Sequence, residues 1–221
     1  MTTHAHTHSA PVPTVDHAHV ADLDACLDLI NSLELDRAPQ EHLLTPDDGV
    51  AYFTTRGLAH EDALRAQAAS GDEAWLERVR DVRAALREVW DAAVEGRTVR
   101  ADAVTTLNRV LAHTPHAELH AALAGVVVGH RHDAADPTGE ALARVTAPLV
   151  AAIAAGETDR FRICANEDCR WVFEDTSRGG RRRWCDMTSC GNQAKVRRFR
   201  AKRAAGGADG RPESGAGPEA G

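Results

Sequence analysis

The stretch that decides the fold lies near the C-terminus, where residues 164–203 read CANEDCRWVFEDTSRGGRRRWCDMTSCGNQAKVRRFRAKR. Four of the five cysteines of the chain stand here as two pairs, Cys164 with Cys169 and Cys185 with Cys190. Two close pairs across a short loop are the spacing of a structural zinc site, because Zn²⁺ takes four thiolates in a closed tetrahedron. Two disulfides are the alternative, but a reducing compartment disfavours them. We therefore expect these four cysteines to bind one structural Zn²⁺, which would supply the folding energy of a segment too short to fold alone.

The same region concentrates positive charge in an acidic chain. Residues 160–203 contain 13 Arg and Lys against five Asp and Glu, a net charge of +8, whereas all 221 residues together carry −7. Residues 204–221 carry −2, so residues 1–159 carry −13. Nucleic acid would attract the basic module and repel the acidic body. This uneven distribution of charge therefore indicates a chain whose two parts have different functions.

Nearly half of these basic residues, six of the 13, fall on a helix predicted for residues 193–203. Six basic residues and no acid lie between Lys195 and Arg203. Like charges at neighbouring helical positions repel one another, and a polyanion would relieve that cost. Nucleic-acid phosphate is the natural partner. The residues expected to contact it are Arg181, Arg182, Arg183, Lys195, Arg197, Arg198, Arg200, Lys202 and Arg203.

The apolar residues of the module are expected to form a small core around the metal. They are Trp171, Val172, Phe173, Trp184, Val196 and Phe199. One of the tryptophans could instead stack on a base. Gly191 is expected to provide a positive φ beside a thiolate. Asn192 is expected to cap the following helix, with the reading of a base edge as the alternative.

The chain upstream of the module predicts helices. Hydrophobic residues make up 43% of the sequence but aromatics only 4%, so alanine and aliphatic residues must fill the core. Valines flanked by glycines within 116–132 favour a small β-hairpin. Apolar periodicity and caps predict helices over 21–36, 46–56, 60–69, 72–95, 101–112 and 136–156. The fold class is therefore mainly α: a helical N-terminal domain, 21–157, with a small β-hairpin, followed by a treble-clef- or zinc-ribbon-like finger, 160–203.

Several residues of the helical domain have specific expected positions. Trp75 and Trp90 are expected in the core. Glycines or Ser-Gly pairs should end the helices near residues 57, 70, 96 and 156. The inward residues are predicted to be Val104, Leu107 and Leu111 in one helix, and Leu142, Val145, Leu149, Val150 and Ile153 in the last.

Other residues have two interpretations, one purely structural and one functional. Cys26 is expected to be a buried thiol rather than a ligand. Asn31 is either a satisfied buried polar group or part of a ligand cleft. His130 and His132 are either solvated or metal ligands. The segments 1–20, rich in histidine, and 204–221, rich in Gly, Ala, Pro and Glu, are expected to be disordered, although the histidines of the first could chelate metal weakly.

Some function classes are disfavoured by the sequence. No apolar run is long enough for a membrane span, and the N-terminus has no hydrophobic signal region, so we expect a cytoplasmic protein. The sequence contains no nucleotide-binding glycine loop and no nucleophile elbow. Four thiolates would also leave zinc no open position for water. We therefore do not expect an enzyme.

Residues 161–203 resemble the CGNR zinc-finger family. The resemblance rests on the cysteines and on the motifs around them, although Gln193 stands where the family has the final Arg of Cys-Gly-Asn-Arg. The stretch CLDLINSLELD at 26–36 and Leu107-Asn108 resemble the ABATE domain, which accompanies this finger in bacterial proteins. The resemblance implies a transcription regulator whose finger binds duplex DNA. The helical domain would sense a small-molecule effector or form a homodimer. An RNA-binding protein and a protein-interaction adaptor remain alternatives.

Overall fold

The secondary structure is mainly helical. The computed structural model describes residues 21–35, 39–122, 125–132 and 135–207. The helices, in chain order, are α1 (Leu23–Asn31), α2 (Pro46–Thr55), α3 (Glu61–Glu95), α4 (Ala101–Leu111), α5 (Pro137–Ala154) and α6 (Asn192–Gly207). The strands form three antiparallel pairs: β1 (Leu33–Glu34) with β2 (Gln40–Glu41), β3 (His116–Ala122) with β4 (Gly125–Arg131), and β5 (Phe161–Ile163) with β6 (Val172–Glu174). The segment 1–20, predicted to be disordered, lies outside the described residues. The same prediction for 204–221 was wrong for residues 204–207, which continue α6, and residues 208–221 lie outside the described part of the chain.

Local capping chemistry sets the predicted start of α2. Thr45 and Asp48 form a reciprocal capping box, in which each side chain accepts a hydrogen bond from the backbone of the other. Pro46 occupies the first turn, where its missing N–H costs nothing. Gly57 and Gly96 both have left-handed φ values, 65° and 66°, and confirm the predicted helix ends. The sequence therefore specifies these boundaries locally.

The long helix α3 corrects the prediction of two helices interrupted at Ser70-Gly71. Its 35 residues run through Gly71 without a break. A glycine inside a helix costs only about 1 kcal/mol relative to alanine. Leu64 and Trp75, which lie on either side of this point, are both buried in the same core. Packing on both sides therefore outweighs the weak local signal to stop.

The core of the helical domain forms where α3 packs against α1, α2, α4 and α5. Trp75 and Trp90 are buried there, as predicted, and so is Cys26. The predicted inward faces were partly wrong, because Val104, Val150 and Ile153 are exposed. In α4 Leu107 is buried as predicted, but Ala103 and Val110 are buried in place of Val104 and Leu111. Among the described residues, no helix is long and apolar enough to cross a membrane.

The β3–β4 pair confirms the predicted hairpin, with Leu119 opposite Val128. Leu119 and Val126 are 75% and 68% exposed. His132, at its end, does not stand free in solvent, because its Nδ1 lies 2.7 Å from Oε1 of Glu140. His130 is half-buried. Within the described residues, neither histidine belongs to a cluster able to hold a metal ion.

The β5–β6 hairpin attaches the C-terminal module to the helical domain. Phe161 and Val172 are buried in the helical core, not in a separate core of the module. Phe161 stacks on Trp90 with ring centroids 3.9 Å apart, and the Trp90 indole N–H donates to the carbonyl of Arg162 at 3.0 Å. The amino-acid composition therefore changes at residues 157–160, but the hydrophobic core of the helical domain continues across this boundary into the C-terminal module.

Asn31 completes this junction. Its amide nitrogen donates to the Val172 carbonyl at 3.0 Å, and its amide oxygen accepts from the Val172 N–H at 3.0 Å. The side chain thus pairs with β6 as a neighbouring strand would. Asn31 is therefore a satisfied buried polar group, the first of its two interpretations.

We expect Asn31→Ala to lower the free energy of unfolding by about 2–4 kcal/mol, because it leaves two buried backbone groups of Val172 without partners. Chemical denaturation of the zinc-loaded protein measures the loss. Asn108→Ala, on the exposed side of α4, is the matched control and should change stability by less than about 0.5 kcal/mol. Equal effects of the two substitutions would contradict the role of Asn31 as a junction.

Candidate metal centre and basic helix

The four predicted cysteines converge on one point. Their sulfur atoms all lie within 4.8 Å of one another, and the Cys169–Cys185 and Cys185–Cys190 pairs are 3.6 and 3.7 Å apart. Tetrahedral zinc with bonds of about 2.3 Å holds its sulfurs about 3.8 Å apart, so the spacing fits this ion. A disulfide would need about 2.05 Å, and all five cysteines are free. Cys164, Cys169, Cys185 and Cys190 therefore fit one structural zinc ion.

Cys164 and Cys169 lie on a tight turn between β5 and β6. The Cys164 N–H donates to the carbonyl of Trp171 at 2.7 Å, and the Cys169 N–H donates to that of Asn166 at 2.9 Å. Arg170, which follows Cys169, has φ 59°. The positive φ beside a ligand thus falls on Arg170, and the expectation of one at Gly191 was wrong.

The left-handed conformation makes Arg170→Gly a stabilising substitution. A non-glycine residue in this region costs about 1–2 kcal/mol, part of which the greater freedom of glycine in the unfolded chain offsets. We expect a net gain of about 0.5–1 kcal/mol, seen as a rise of roughly 1–4 °C in the thermal midpoint of the zinc-loaded protein. Arg178→Gly removes the same charge at an exposed position outside the left-handed region and should give no gain. A lower midpoint for Arg170→Gly would show that its side chain matters more than its backbone.

Cys185 precedes one turn of π-helix, Met187–Gly191, which contains Cys190 and leads into α6. Asp186 caps this turn by accepting hydrogen bonds from the hydroxyl of Thr188 at 2.6 Å and from the N–H of Ser189 at 2.7 Å. These bonds lower the pKa of Asp186 to about 2. The cap is therefore Asp186. The prediction of Asn192 as the cap was wrong, because the helical geometry starts before α6. Asn192 instead donates to the carbonyl of Thr188 at 2.9 Å.

Gly191 is packed closely, although its φ is not positive. A β-carbon at this position would lie 2.9 Å from the sulfur of Met187 and 3.4 Å from the indole of Trp184. The end of the exposed Met187 side chain would have to move to admit a larger residue next to Cys190.

The protonation of the thiols couples this site to metal binding. Burial raises the pKa of Cys169 to about 12 and that of Cys185 further. Burial also opposes ionisation of Cys190, but hydrogen bonds from the Asn166 amide and from neighbouring thiols lower its pKa below the ordinary value. Zinc binds thiolates, so loading the site must release protons.

Asn166, which the sequence analysis missed, connects the first cysteine turn to α6. It is buried, and its amide nitrogen lies 3.6 Å from the sulfur of Cys190 and 3.3 Å from the side-chain oxygen of Gln193. Its oxygen accepts from Nη2 of Arg197 at 2.9 Å. The sequence did offer one signal for this role, since Asn166 is a polar residue between two ligand cysteines. Gln193, at the position of the family arginine, therefore has a partner within the finger.

The predicted nucleic-acid-binding residues divide into two groups. Arg182 and Arg197 are bonded to other residues of the finger. Arg182 bonds the carbonyls of Trp184 and Cys185 and lies over the ring of Phe173, while Arg197 contacts Asn166 and lies 3.6 Å from an oxygen of Asp168. The other seven, all exposed, are Arg181, Arg183, Lys195, Arg198, Arg200, Lys202 and Arg203. Arg197 is exposed as well, so the structure leaves eight of the nine predicted cations on the surface and half-buries Arg182.

Three of the exposed cations border an open cleft beside Trp184. The cleft has a volume of about 310 Å³ and is lined by Arg183, Lys195 and Arg198. The guanidinium of Arg183 lies 5.2 Å from the Trp184 ring centroid, a cation–π contact that holds the arginine at its rim. Converging cations of this kind suit a phosphate group.

The finger core is smaller than predicted. It consists of the cysteines with Phe173 and Trp184. Val172 belongs to the helical core, and Trp171 is exposed. Val196 and Phe199 are exposed as well, at 47% and 62%, and do not pack on the metal site. The side of α6 toward the cysteine turn instead bears half-buried Ala194 and the hydrogen bond from Arg197 to Asn166.

Comparison with known proteins agrees with this architecture. Residues 160–203 match the CGNR zinc finger. Residues 23–160, more than half of the chain, match the family described as ABATE, "putative stress-induced transcription regulator". The chain belongs to the ABATE family. No curated protein matches the chain. In this ABATE protein the two matched regions meet at residue 160, where the structure joins them through Phe161 and Asn31.

Proposed function

We propose that this ABATE protein is a cytoplasmic transcription regulator that binds duplex DNA through its zinc finger. The observation that carries the proposal is the exposed face of α6, which bears Lys195, Arg198, Arg200, Lys202 and Arg203 and no acid. The helix has 16 residues, about 24 Å of length, and a single α-helix fits the major groove of B-DNA. Phosphates on either side of the groove would neutralise these cations.

The cleft beside Trp184 provides a second phosphate contact. Arg183, Lys195 and Arg198 line it, so one backbone phosphate there would fix the register of α6 on the duplex. Phosphate contacts position a protein on the duplex without reading the base sequence of the DNA. The cleft is thus proposed as an anchor.

The buried junction would give the acidic domain a defined place in the complex. Trp90, Asn31 and Val172 tie the finger to α1 and α3. Because the helical domain carries most of the negative charge, DNA would repel it and bind along the finger side only. The proposal includes no catalytic role, since four thiolates would fill the coordination shell of zinc.

The helical domain is proposed to sense a small molecule or to mediate self-association. An open cleft of about 820 Å³ between α3 and α4 supports the first. Charged side chains of both signs line it, among them Asp81 and Arg109, as a polar ligand would require. A rise in thermal midpoint on screening small polar metabolites would identify an effector.

Selection of the zinc-loaded protein against a random duplex DNA pool near physiological salt tests the proposed function. An enriched motif supports a sequence-specific regulator, and a palindromic motif supports a dimer. Competition with RNA hairpins separates the RNA-binding alternative. Absence of salt-dependent binding to any nucleic acid would contradict the proposal and favour a protein-interaction adaptor.

A further inference from the structure

An apolar pair lies in the middle of the cationic face of α6. Val196 and Phe199 are 47% and 62% exposed and stand about 4.5 Å apart along the helix axis. The guanidinium of Arg203 lies 5.8 Å from the Phe199 ring centroid. Apolar side chains scattered singly need no explanation, but neighbouring ones rimmed by charged residues are typical of a contact site.

The rotation of α6 follows from the contacts of Arg197. Its guanidinium reaches Asn166 and Asp168 in the cysteine turn, although 49% of its side chain is exposed. At 100° per residue, Phe199 lies about 160° from Arg197 around the helix axis, and Val196 lies about 60° from Phe199. Lys195 and Lys202 lie on one side of the apolar pair and Arg200 on the other, so cations flank it on both sides.

Charge decides between the possible occupants of this face. A second copy would bring the same six cations against these six, which repel at close range. A membrane-surface helix needs a broad apolar face, whereas this one shows two apolar side chains among its cations. A-form RNA has a deep, narrow major groove that does not admit a helix, and its uracil has no methyl group. B-DNA offers phosphates on both edges of a wide groove and thymine methyl groups between them.

We propose that Val196 and Phe199 contact thymine methyl groups in the major groove and thereby contribute sequence preference, an inference that rests on the DNA-binding function proposed above. The flanking cations would hold the two phosphate backbones, and the apolar pair would face the base edges. Apolar side chains distinguish thymine from the other bases by its C5-methyl group. The finger would therefore prefer sites with thymine facing this part of α6.

Replacing thymine by uracil in the DNA tests the contact directly, since it removes only the methyl groups. The probes are an alternating dA–dT duplex of 24 base pairs and its dA–dU counterpart, each titrated with the zinc-loaded full chain. Burial of one methyl group changes affinity about fourfold, so we expect the wild type to prefer the thymine duplex roughly four- to tenfold. Phe199→Ala and Val196→Ala should each reduce this ratio toward one.

Matched variants separate this contact from general binding. Lys195→Ala should weaken binding to both duplexes about equally and keep the ratio, because phosphate contacts do not read bases. Leu119→Ala, on the exposed hairpin of the helical domain, should change neither affinity nor ratio. Zinc content and far-ultraviolet circular dichroism confirm that each variant is folded.

The outcomes distinguish the inference from the proposed function. Salt-dependent binding with equal affinity for both duplexes would overturn the thymine contact and leave DNA binding intact. A thymine preference that survives in Phe199→Ala and Val196→Ala would overturn it too, since the preference would then arise from DNA shape. No binding to either duplex would overturn both proposals, and binding to anionic vesicles that is lost in Phe199→Ala would reassign the face to lipid.

Discussion

Cys185→Ser is expected to abolish zinc binding and to destabilise the helical domain together with the finger. The Cys185 sulfur lies 3.6 and 3.7 Å from those of Cys169 and Cys190, so its loss leaves only three thiolates for the metal. Structural zinc sites contribute about 10–16 kcal/mol of apparent binding energy in isolated finger peptides, and that energy folds them. A finger without its metal should therefore lose the order of both cysteine turns.

The effect should extend beyond the finger because two of its residues belong to the helical core. Phe161 and Val172 are fully buried there, and burying such side chains is worth about 1.5–3 kcal/mol each. If β5 and β6 detach, Trp90 loses its stacking partner and Asn31 loses both hydrogen bonds. We expect the thermal midpoint of the whole chain to fall by roughly 10 °C or more.

Metal analysis, thermal unfolding and hydrogen exchange check this result. Zinc content should fall from one per chain to near zero, and exchange protection should fall in α1 and in the C-terminal half of α3. Cys26→Ala is the matched control, because Cys26 is buried in α1 outside the sulfur cluster and its loss should leave zinc content unchanged. Full zinc occupancy in Cys185→Ser would refute the ligand assignment. Zinc loss with unchanged protection in α1 and α3 would show that the finger and the helical core are independent.

Local chemistry explains which parts of this fold could be predicted from sequence. Two cysteine pairs specify a metal site because the ion imposes its own geometry on whatever chain supplies the thiolates. The capping box at Thr45 and Asp48 and the glycines at 57 and 96 act within one turn of the chain, so they too could be read directly. These features need no knowledge of distant residues.

Tertiary contacts explain what the sequence did not show. The continuity of α3 through Gly71 depends on packing far from the glycine. Val196 and Phe199 are exposed in the rotation of α6 that brings Arg197 to Asn166, a residue of another part of the finger. Val172 was predicted in the finger core, yet it packs in the helical domain. Apolar periodicity shows that a side chain is buried but not what it is buried against, so the sequence could not assign Val172 to the correct core.

The charge reversal Lys195→Glu with Arg198→Glu should weaken DNA binding about 100-fold while leaving the fold intact. Both residues are exposed and line the cleft beside Trp184, where the proposed phosphate lies. Each lost phosphate contact lowers the slope of log affinity against log salt by about 0.9, so two contacts should lower it by nearly 2. Neither side chain is tied into the finger as Arg182 and Arg197 are, so zinc content and thermal midpoint should stay close to those of the wild type.

Net charge alone would also weaken binding, and a matched variant separates that effect from contact. Arg100→Glu with Arg109→Glu makes the same change of charge on exposed positions of the helical domain, in and just before α4. Long-range repulsion is screened within about 8 Å at physiological salt, so this control should lose little affinity and keep the wild-type slope. Titration of duplex DNA from 50 to 300 mM salt measures affinity and slope together. Equal losses in the two variants would mean that DNA senses the charge of the whole chain, and α6 would no longer be the interface.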